Sequence, residues 1–353
     1  MTMYTPRLEL DISKIDQQFT RFRQALPDFE VYYSVKTNDD PLVLKRLREL
    51  GSKFEIVSPS DLEAVIRVDA PPAAIIHSNP VPHPDDVQKL HETGISVFAA
   101  QSPTTIETIA HFAPGSNIVL RVSMPKTNAL AKVNLDKFGA DIDELDGLIA
   151  YAQRKQLQPY GLTFHVGGQN TRIQSWVEAL QSILPVVEKH RLPFVDIAGG
   201  FPVSFQGDEP SIEEIGEAIT SLIRPYVNTV QFAAEPGRYI VSDAGTLVYT
   251  VLDVHQRGDK TYAYLDGSIF GALAIYACHP FPISVEGKDR QSVKSFVLTT
   301  NTCDGRDIIN RQVMLPEDLA PGDTLYFYKA GAYTKPFVNV EYAGLKPHKV
   351  IYK

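Results

Sequence analysis

The stretch Val31-Tyr32-Tyr33-Ser34-Val35-Lys36 is a short, mostly apolar run that ends in a lysine. Its β-branched and aromatic side chains favour a strand. Similar runs recur through the first two thirds of the chain, separated by longer stretches with helical spacing. Eight strands are predicted in this region, at residues 31–35, 54–57, 74–78, 96–99, 118–122, 161–166, 194–197 and 230–234.

The stretches between these strands have the apolar spacing of amphipathic helices. Regular alternation of strand and helix indicates a parallel sheet with crossover helices. Eight strands are the number that closes a TIM-type (β/α)8 barrel, although an open doubly wound sheet fits the same alternation. The predicted helices include residues 40–50, 82–92, 142–154, 173–190 and 212–226.

Beyond residue 244 the chain changes to β-branched and aromatic runs broken by Gly, Asp and Pro, which predicts a mostly β second domain. The opening run 6–10 can add one strand to it. We therefore expect a barrel over residues 12–240, and a β-rich domain formed by residues 1–11 plus 241–353. The predicted strands of the second domain are 246–254, 261–265, 295–300, 324–328 and 348–352.

Composition excludes several function classes. The formal net charge is −8, and no basic stripe suited to a nucleic acid is present. The apolar segment 269–283 is shorter than the roughly 20 residues of a membrane-spanning helix. Because the first residues carry no apolar signal region, we expect a cytoplasmic protein.

The chain has two cysteines, Cys278 and Cys303, and no CxxC motif. Neither a disulfide scaffold nor a metal site is expected. Cys303 lies in a polar, glycine-containing stretch and is a candidate for chemistry. Cys278 is expected to be a core thiol.

Four polar residues end or follow apolar runs of the predicted barrel: Lys36, Arg121, His165 and Glu235. The active site of such a barrel lies at the carboxyl ends of its strands. Each residue alone has an ordinary explanation, such as a solvated lysine or a core histidine. Their joint placement at one end of the barrel indicates a site.

Glycine pairs point to the same end of the barrel. Gly167-Gly168 follows the sixth strand, Gly199-Gly200 follows the seventh, and Arg238 comes just after the eighth. Backbone N–H groups at such turns can bind a phosphate, although any one pair is equally explained as an ordinary turn. Together with the arginine they predict an anion site.

A lysine, a phosphate site, a histidine and a glutamate at one rim are the groups that pyridoxal phosphate requires. Lys36 can bond covalently to the aldehyde of the cofactor. Glu235 can keep the pyridine nitrogen protonated, and His165 can stack on the ring. The sequence therefore predicts a pyridoxal phosphate enzyme.

Six motifs occur in the order found in a known family. They resemble the motifs of the fold-type III, group IV decarboxylases of ornithine, arginine and diaminopimelate, most closely ornithine decarboxylase-like members. The resemblance spans almost the whole chain, and six ordered motifs are far more specific than any single one. The motifs are 32–38 (YYSVKTN), 164–167 (FHVG), 196–202 (DIAGGFP), 234–239 (AEPGRY), 302–305 (TCDG) and 331–334 (GAYT).

The resemblance implies an amino-acid decarboxylase that uses pyridoxal phosphate. It implies that Cys303 returns a proton to Cα, that Asp304 faces the substrate's side chain, and that Tyr333 reaches the phosphate. It also implies a homodimer with active sites shared between subunits. The expected catalytic residues are Lys36, His165, Glu235 and Cys303; those binding the cofactor are Lys36, Arg121, His165, Gly199, Gly200, Glu235, Gly237, Arg238 and Tyr333; those binding substrate are Cys278, Cys303, Asp304 and Tyr333.

The chain departs from the family pattern in ways that bear on substrate choice. Residues 268–285 contain no Asp or Glu, and Cys278 stands near the acid expected to bind a distal amine. The closing segment 337–342 (FVNVEY) is also irregular. The substrate is therefore expected to be either an ornithine- or lysine-like amino acid or a modified or conjugated one, in polyamine or specialised-metabolite biosynthesis. The departures favour a modified or larger substrate, such as an amino-acid conjugate.

Two smaller departures concern the cofactor. Gly168 stands where family members often carry Ser, and Ala198 replaces the first glycine of a triple. We expect these changes to weaken cofactor binding without abolishing it.

Two other functions fit the same fold. An amino-acid racemase typically places Arg opposite the pyridine nitrogen, so Glu235 favours decarboxylation. A non-catalytic, regulatory relative is expected to have lost cofactor residues, whereas this chain keeps Lys36, Glu235, Arg238, Cys303 and Asp304.

Overall fold

The computed structural model describes residues 4–124, 137–205, 207–276, 279–289 and 291–353. The chain divides into two compact units. One unit comprises Asp16–Ile240, and the other combines Met1–Ile15 with Val241–Lys353. Strands and helices alternate in the first unit, whereas the second consists mainly of strands.

Eight parallel strands of the described residues close into a barrel in the first unit. The first and last barrel strands pair through Phe29 opposite Phe232 and Val31 opposite Ala234, which closes the sheet. The prediction of a (β/α)8 barrel is confirmed, and the open doubly wound sheet is excluded. After β1 (Arg7–Leu10) of the other unit, the barrel strands are β2 (Phe29–Ser34), β3 (Lys53–Ile56), β4 (Ile75–His77), β5 (Val97–Ala100), β6 (Asn117–Val122), β7 (Gln158–Phe164), β8 (Phe194–Asp196) and β9 (Gln231–Ala234).

Helices connect the barrel strands. They are α1 (Ile12–Ala25), α2 (Pro41–Glu49), α3 (Pro59–Ile66), α4 (Pro84–Glu92), α5 (Pro103–Phe112), α6 (Leu145–Arg154), α7 (Gln174–His190), α8 (Ile212–Ile223) and the single turn α9 (Arg238–Val241). Capping boxes begin two of them: Ser102 with Thr105 at α5, and Ser211 with Glu214 at α8. Proline in the first turn of α2 to α5 removes an N–H that a helix start leaves unpaired.

Aromatic and aliphatic side chains fill the barrel. Tyr32, Ile76, Val119 and Phe194 come from alternate strands and belong to one buried cluster, as expected for a layer of a (β/α)8 core. The Tyr160 ring stacks on Phe194 with 5.0 Å between centroids. This packing makes the barrel interior a solid core, so polar chemistry is confined to the ends of the strands.

The second unit is a mostly antiparallel sheet. Its further strands are β10 (Gly245–Arg257), β11 (Lys260–Leu265), β12 (Ile283–Val285), β13 (Val293–Thr300), β14 (Ile308–Pro316), β15 (Thr324–Tyr328) and β16 (Lys349–Tyr352). The sheet order is β12-β15-β10-β11-β13-β14, and β1 pairs with β10 and β16. The N-terminal segment is therefore part of this sheet.

Candidate active site

Lys36 lies in a single 3-10 turn, Val35–Thr37, directly after β2. Its Nζ donates to both carboxylate oxygens of Glu55 on β3, at 3.0 and 2.9 Å. The Glu55 side chain is fully buried, and the hydroxyl of Ser34 also donates to it at 2.5 Å. Because a buried carboxylate is costly without a partner, this pair holds the lysine head in one place at the barrel rim.

Two buried carboxyl groups, Glu235 and Asp196, lie at the ends of neighbouring strands. Burial raises the pKa of Glu235 well above its usual range, and the negative charges of Asp196 and Glu55 add to this shift. The hydroxyl of Ser78 donates a short hydrogen bond to Glu235. Burial also raises the pKa of Asp196, opposed by hydrogen bonds that include one from Thr163. Burial thus favours the protonated form of both carboxyl groups, whereas a cation beside them favours the charged form.

Arg121 on β6 supplies positive charge to the same region. Burial lowers the pKa of its guanidinium, and Glu235, Asp196 and Glu55 oppose that shift. Within the described part of the chain, its buried Nε has no hydrogen-bond acceptor. A guanidinium stays charged in proteins, so a buried donor of this kind fits an anionic group bound at the rim.

His165 follows β7, which ends at Phe164 rather than at residue 166 as predicted. Its Nδ1 accepts a hydrogen bond from the amide of Gly167 at 2.8 Å, so the ring proton is assigned to Nε2. Burial, with the positive charges of Arg121 and Lys36, lowers the pKa of His165 to about 3. The ring is therefore neutral and fixed in one tautomer near pH 7.

The turns after β7 and β8 lie in contact with each other at the predicted glycine pairs. The amide of Asn170 donates to the carbonyl of Gly200 at 2.9 Å. Gly200 has φ +98°, and a Cβ there would lie 2.5 Å from the carbonyl oxygen of Gly167. Glycine is required at this position by both its backbone angle and the close approach of the neighbouring turn.

The turn after β9 approaches the Lys36 turn. A Cβ on Gly237 would lie 2.1 Å from Oγ1 of Thr37, so a side chain at this position would require Thr37 to move. Arg238, the next residue, begins α9. The backbone after the last barrel strand is thereby held against the turn that carries Lys36.

In the β-rich unit, Cys303 is a free, exposed thiol. Its loop is organised by the buried Asp307, which sequence reasoning missed. Oδ2 of Asp307 accepts from the hydroxyls of Ser268, Thr300 and Thr302, each at 2.6 Å. One carboxylate therefore joins the segment after β11 to the loop that carries Cys303.

Asp304 is bound within its own loop by Arg306. The Arg306 Nε lies 2.9 Å from one carboxylate oxygen and Nη2 lies 2.5 Å from the other. The hydroxyl of Tyr342 also donates to Asp304, at 3.1 Å. These donors hold the pKa of Asp304 far below its usual range. This pairing was not predicted, because Arg306 reads as an ordinary loop residue in the sequence.

The predicted site residues thus fall into two groups. Lys36, Arg121, His165 and Glu235 influence one another electrostatically at the carboxyl ends of the barrel strands, with Gly199 in the turn after β8. Cys303, Asp304 and Tyr333 belong to the β-rich unit, where Tyr333 has φ +59°. Cys278 lies outside the described residues.

Glu55 is the main barrel residue that sequence reasoning missed. The available signal was an acid inside the otherwise apolar run 54–57. Among the described residues, no group of three or more His, Cys, Asp or Glu side chains is arranged to hold a metal. No helix in the described ranges has both the length and the apolar character needed to cross a membrane.

Comparison with known proteins identifies two matching domain families. Residues 12–242 match the pyridoxal binding domain of pyridoxal-dependent decarboxylases, and residues 238–331 match their C-terminal sheet domain. The lysine/ornithine decarboxylase of Selenomonas ruminantium is 29% identical over 338 residues, which cover 94% of this chain and 85% of the relative.

Two further comparisons extend this similarity. Antizyme inhibitor 2 of Xenopus laevis is 30% identical, with 92% of this chain and 76% of the relative covered. The crystal structure of lysine/ornithine decarboxylase complexed with cadaverine from Vibrio vulnificus superimposes with a TM-score of 0.90 at 27% identity, covering 100% of this chain and 95% of that one.

Proposed function

The chain belongs to the pyridoxal-dependent decarboxylase family and is a pyridoxal phosphate-dependent amino-acid decarboxylase; on that premise we propose that Lys36 is the residue that bonds to the cofactor. The supporting observation is its position on the barrel rim with a buried Glu235 and an Arg121 Nε that has no acceptor among the described residues. The lysine would bond to the aldehyde of the cofactor, and the acid would face the ring nitrogen. The cation would bind an anionic group.

The residues of the rim fit this cofactor. Glu235 would face the pyridine nitrogen, where a ring N–H⁺ supplies the cation that lets the buried acid ionise. His165 would lie against the ring, since a neutral imidazole adds no charge there. The groups proposed to hold the phosphate are the backbone of Gly199, Gly200 and Gly237 with Arg121, Arg238 and Tyr333. Bound pyridoxal phosphate supplies an electron sink for the pair of electrons left when the Cα–carboxylate bond breaks.

Protons are moved by the chain's own side chains in this proposal. Lys36 must lose a proton from Nζ before it can act as a nucleophile, and the carboxylate of Glu55, 3.0 Å from Nζ, holds the ammonium in position until it does. The exposed thiol of Cys303 would return a proton to Cα after CO2 leaves. Asp307 has a positioning role, because it fixes the loop that carries this thiol.

The substrate is proposed to be a modified or conjugated amino acid. Relatives of this chain are named for lysine and ornithine, and one was crystallised with cadaverine. Here residues 268–285 have no acid, and Asp304 already accepts hydrogen bonds from Arg306. A CO2-release screen over ornithine, lysine, arginine, diaminopimelate and acylated derivatives tests this; equal or better turnover of free ornithine would contradict it.

The cofactor assignment is tested with purified protein and Lys36→Ala. Wild-type protein should gain a visible absorbance band with pyridoxal phosphate, and borohydride should fix the cofactor covalently to Lys36. Lys36→Ala should show neither the band nor CO2 release, whereas Lys45→Ala, an exposed lysine on α2, should behave as wild type. A Lys36→Ala protein with full activity would refute the assignment.

A homodimer with shared active sites is part of the proposal. It predicts that Lys36→Ala and Cys303→Ala proteins, each inactive, regain about a quarter of wild-type activity when mixed and reassociated, because half of the dimers then hold one intact site. Sedimentation of the wild type as a monomer would contradict it. The cytoplasmic location stays a prediction, to be checked by cell fractionation.

A further inference from the structure

In the Cys303–Asp304 loop, Asp304 forms an ion pair with Arg306, and the Arg306 guanidinium lies over the ring of Phe270. Asp304 accepts two hydrogen bonds from the side chain of Arg306, one from its backbone amide at 2.9 Å, and one from Tyr342. A carboxylate has about four acceptor positions. The acid that the resemblance assigns to the substrate's side chain thus has its acceptor positions filled by Arg306 and Tyr342.

Arg306 retains donors beyond this pair. Its side chain is 79% exposed, while that of Asp304 is 13% exposed. Asp304 accepts from Nε and Nη2, and these two hydrogen bonds use only two of the five N–H donors of the guanidinium. The guanidinium lies over the ring of Phe270 at 5.6 Å, and Phe270 packs edge-on against Tyr342. The guanidinium is therefore held in a fixed orientation with an open edge.

This arrangement selects against a distal ammonium. An ammonium at Asp304 would have to displace a bidentate guanidinium and would then lie beside a like charge. The segment 268–285 offers no second acid to compensate. A carboxylate, in contrast, can accept from the open edge of Arg306 without breaking the pair.

We propose that Arg306, held by Asp304, binds a carboxylate at the far end of the substrate. The substrate class is then an α-amino acid whose side chain ends in a carboxylate and carries no free ammonium, such as a diamino acid acylated by a dicarboxylic acid. The distal carboxylate is retained, and the α-carboxylate is the one lost as CO2. This inference rests on the proposed function, which assigns the Cys303–Asp304 loop to the substrate.

The test compares lysine, Nε-acetyl-lysine and Nε-succinyl-lysine, which share a scaffold and differ in distal charge. Binding to the holoenzyme is followed by the change in its visible absorbance, and turnover by CO2 release. Wild type should favour the succinyl compound at least about tenfold over the other two. Arg306→Gln should raise its KM about tenfold or more with a smaller effect on kcat, and should leave the acetyl compound unaffected.

Two further variants separate positioning from bulk charge. Arg311→Gln removes an exposed arginine of β14 and should leave the preference unchanged. Asp304→Asn should weaken succinyl-lysine binding, because it frees Arg306 from the orientation that the carboxylate gives it.

Three outcomes would overturn the inference: lysine bound or decarboxylated as well as succinyl-lysine, an unchanged preference in Arg306→Gln, or no absorbance change with any of the three compounds. Failure of the proposed function is distinct. In that case the protein binds no pyridoxal phosphate, or Lys36→Ala retains activity. A holoenzyme that decarboxylates lysine without regard to distal charge defeats the inference alone.

Discussion

The ammonium of Lys36 lies 3.0 and 2.9 Å from the two carboxylate oxygens of Glu55, an acid with no exposed side-chain surface. This ion pair stabilises the protonated lysine and so opposes its reaction with an aldehyde. The same carboxylate also raises the pKa of Glu235. Glu55 thus links the charge of the lysine to the charge of the acid proposed to face the cofactor ring.

Glu55→Gln should therefore shift the pH at which the cofactor becomes attached. Without the carboxylate the ammonium is less stable, so half-maximal borohydride-trapped attachment should move to lower pH by about one unit. The value is modest because the lysine is 43% exposed. Glu188→Gln, an exposed acid on α7, is the matched control. If the midpoint of cofactor attachment in Glu55→Gln is unchanged or more alkaline, Glu55 does not stabilise the protonated form of Lys36.

The buried His77, at the end of β4, should make the stability of the fold depend on pH. Burial lowers its pKa to about 4 from an ordinary 6.5. Between these values the unfolded chain binds a proton that the folded chain does not, so the histidine's contribution is present above pH 6.5 and is lost as the pH falls toward 4. His77→Phe should reduce the difference in unfolding free energy between about pH 7 and about pH 4.5 by about 2–3 kcal/mol.

Urea denaturation of the apoprotein at these two pH values measures this difference. His111→Phe, an exposed position on α5, serves as control and should retain the wild-type difference. Phenylalanine is suited to position 77 because the ring there already packs against Phe98, with 5.7 Å between centroids. If both variants show the same pH dependence, His77 does not carry the effect.

Asp307 should matter for catalysis through the loop it organises. Asp307→Asn places an NH2 group at one of the two oxygen positions, so the side chain cannot accept both from the three hydroxyl groups at Oδ2 and from the backbone amide of Ile269 at Oδ1. We expect kcat to fall about tenfold or more and stability to drop by about 1–3 kcal/mol, while the absorbance of bound cofactor is unchanged. Asp253→Asn, exposed on β10, controls for loss of charge. Loss of cofactor absorbance with unaltered kcat per bound cofactor would contradict this.

The sequence predicted the barrel and its rim because their signals are local. Lys36, His165 and Glu235 are visible as polar residues at the ends of apolar runs, and the alternation of strand and helix gives the fold. Glu55 was missed because its strand has only four residues, which is too short for a hydrophobic pattern to show that an acid within it is buried and functional. Its role depends on pairing with a residue 19 positions away.

Loop organisation was the least predictable part. Asp307 acts through hydroxyls at residues 268, 300 and 302, which only the folded sheet brings together. Strand β14 escaped prediction because Asn310, Arg311 and Gln312 interrupt its apolar alternation. The pairing of Arg306 with Asp304 is local, but nothing in the sequence distinguishes a turn that points the two side chains together from one that separates them.

Gly168 is a position where a substitution is expected to strengthen cofactor binding. A Cβ there would meet no heavy atom within 4 Å, and its backbone is not in the left-handed region, so a side chain is sterically admissible. Serine at this place in the proposed phosphate site would add one hydroxyl donor. Gly168→Ser should tighten pyridoxal phosphate binding by roughly three- to tenfold, the value of one hydrogen bond.

Gly168→Ala separates the hydroxyl from the added Cβ and should bind the cofactor as the wild type does. Equilibrium titration of the apoprotein, followed by visible absorbance, gives both dissociation constants. If serine and alanine have the same effect, the change comes from the backbone rather than from a new hydrogen bond. Weaker binding by Gly168→Ser alone would place the phosphate away from this turn, and Arg121 and Arg238 would then have to hold it without help from the backbone after β7.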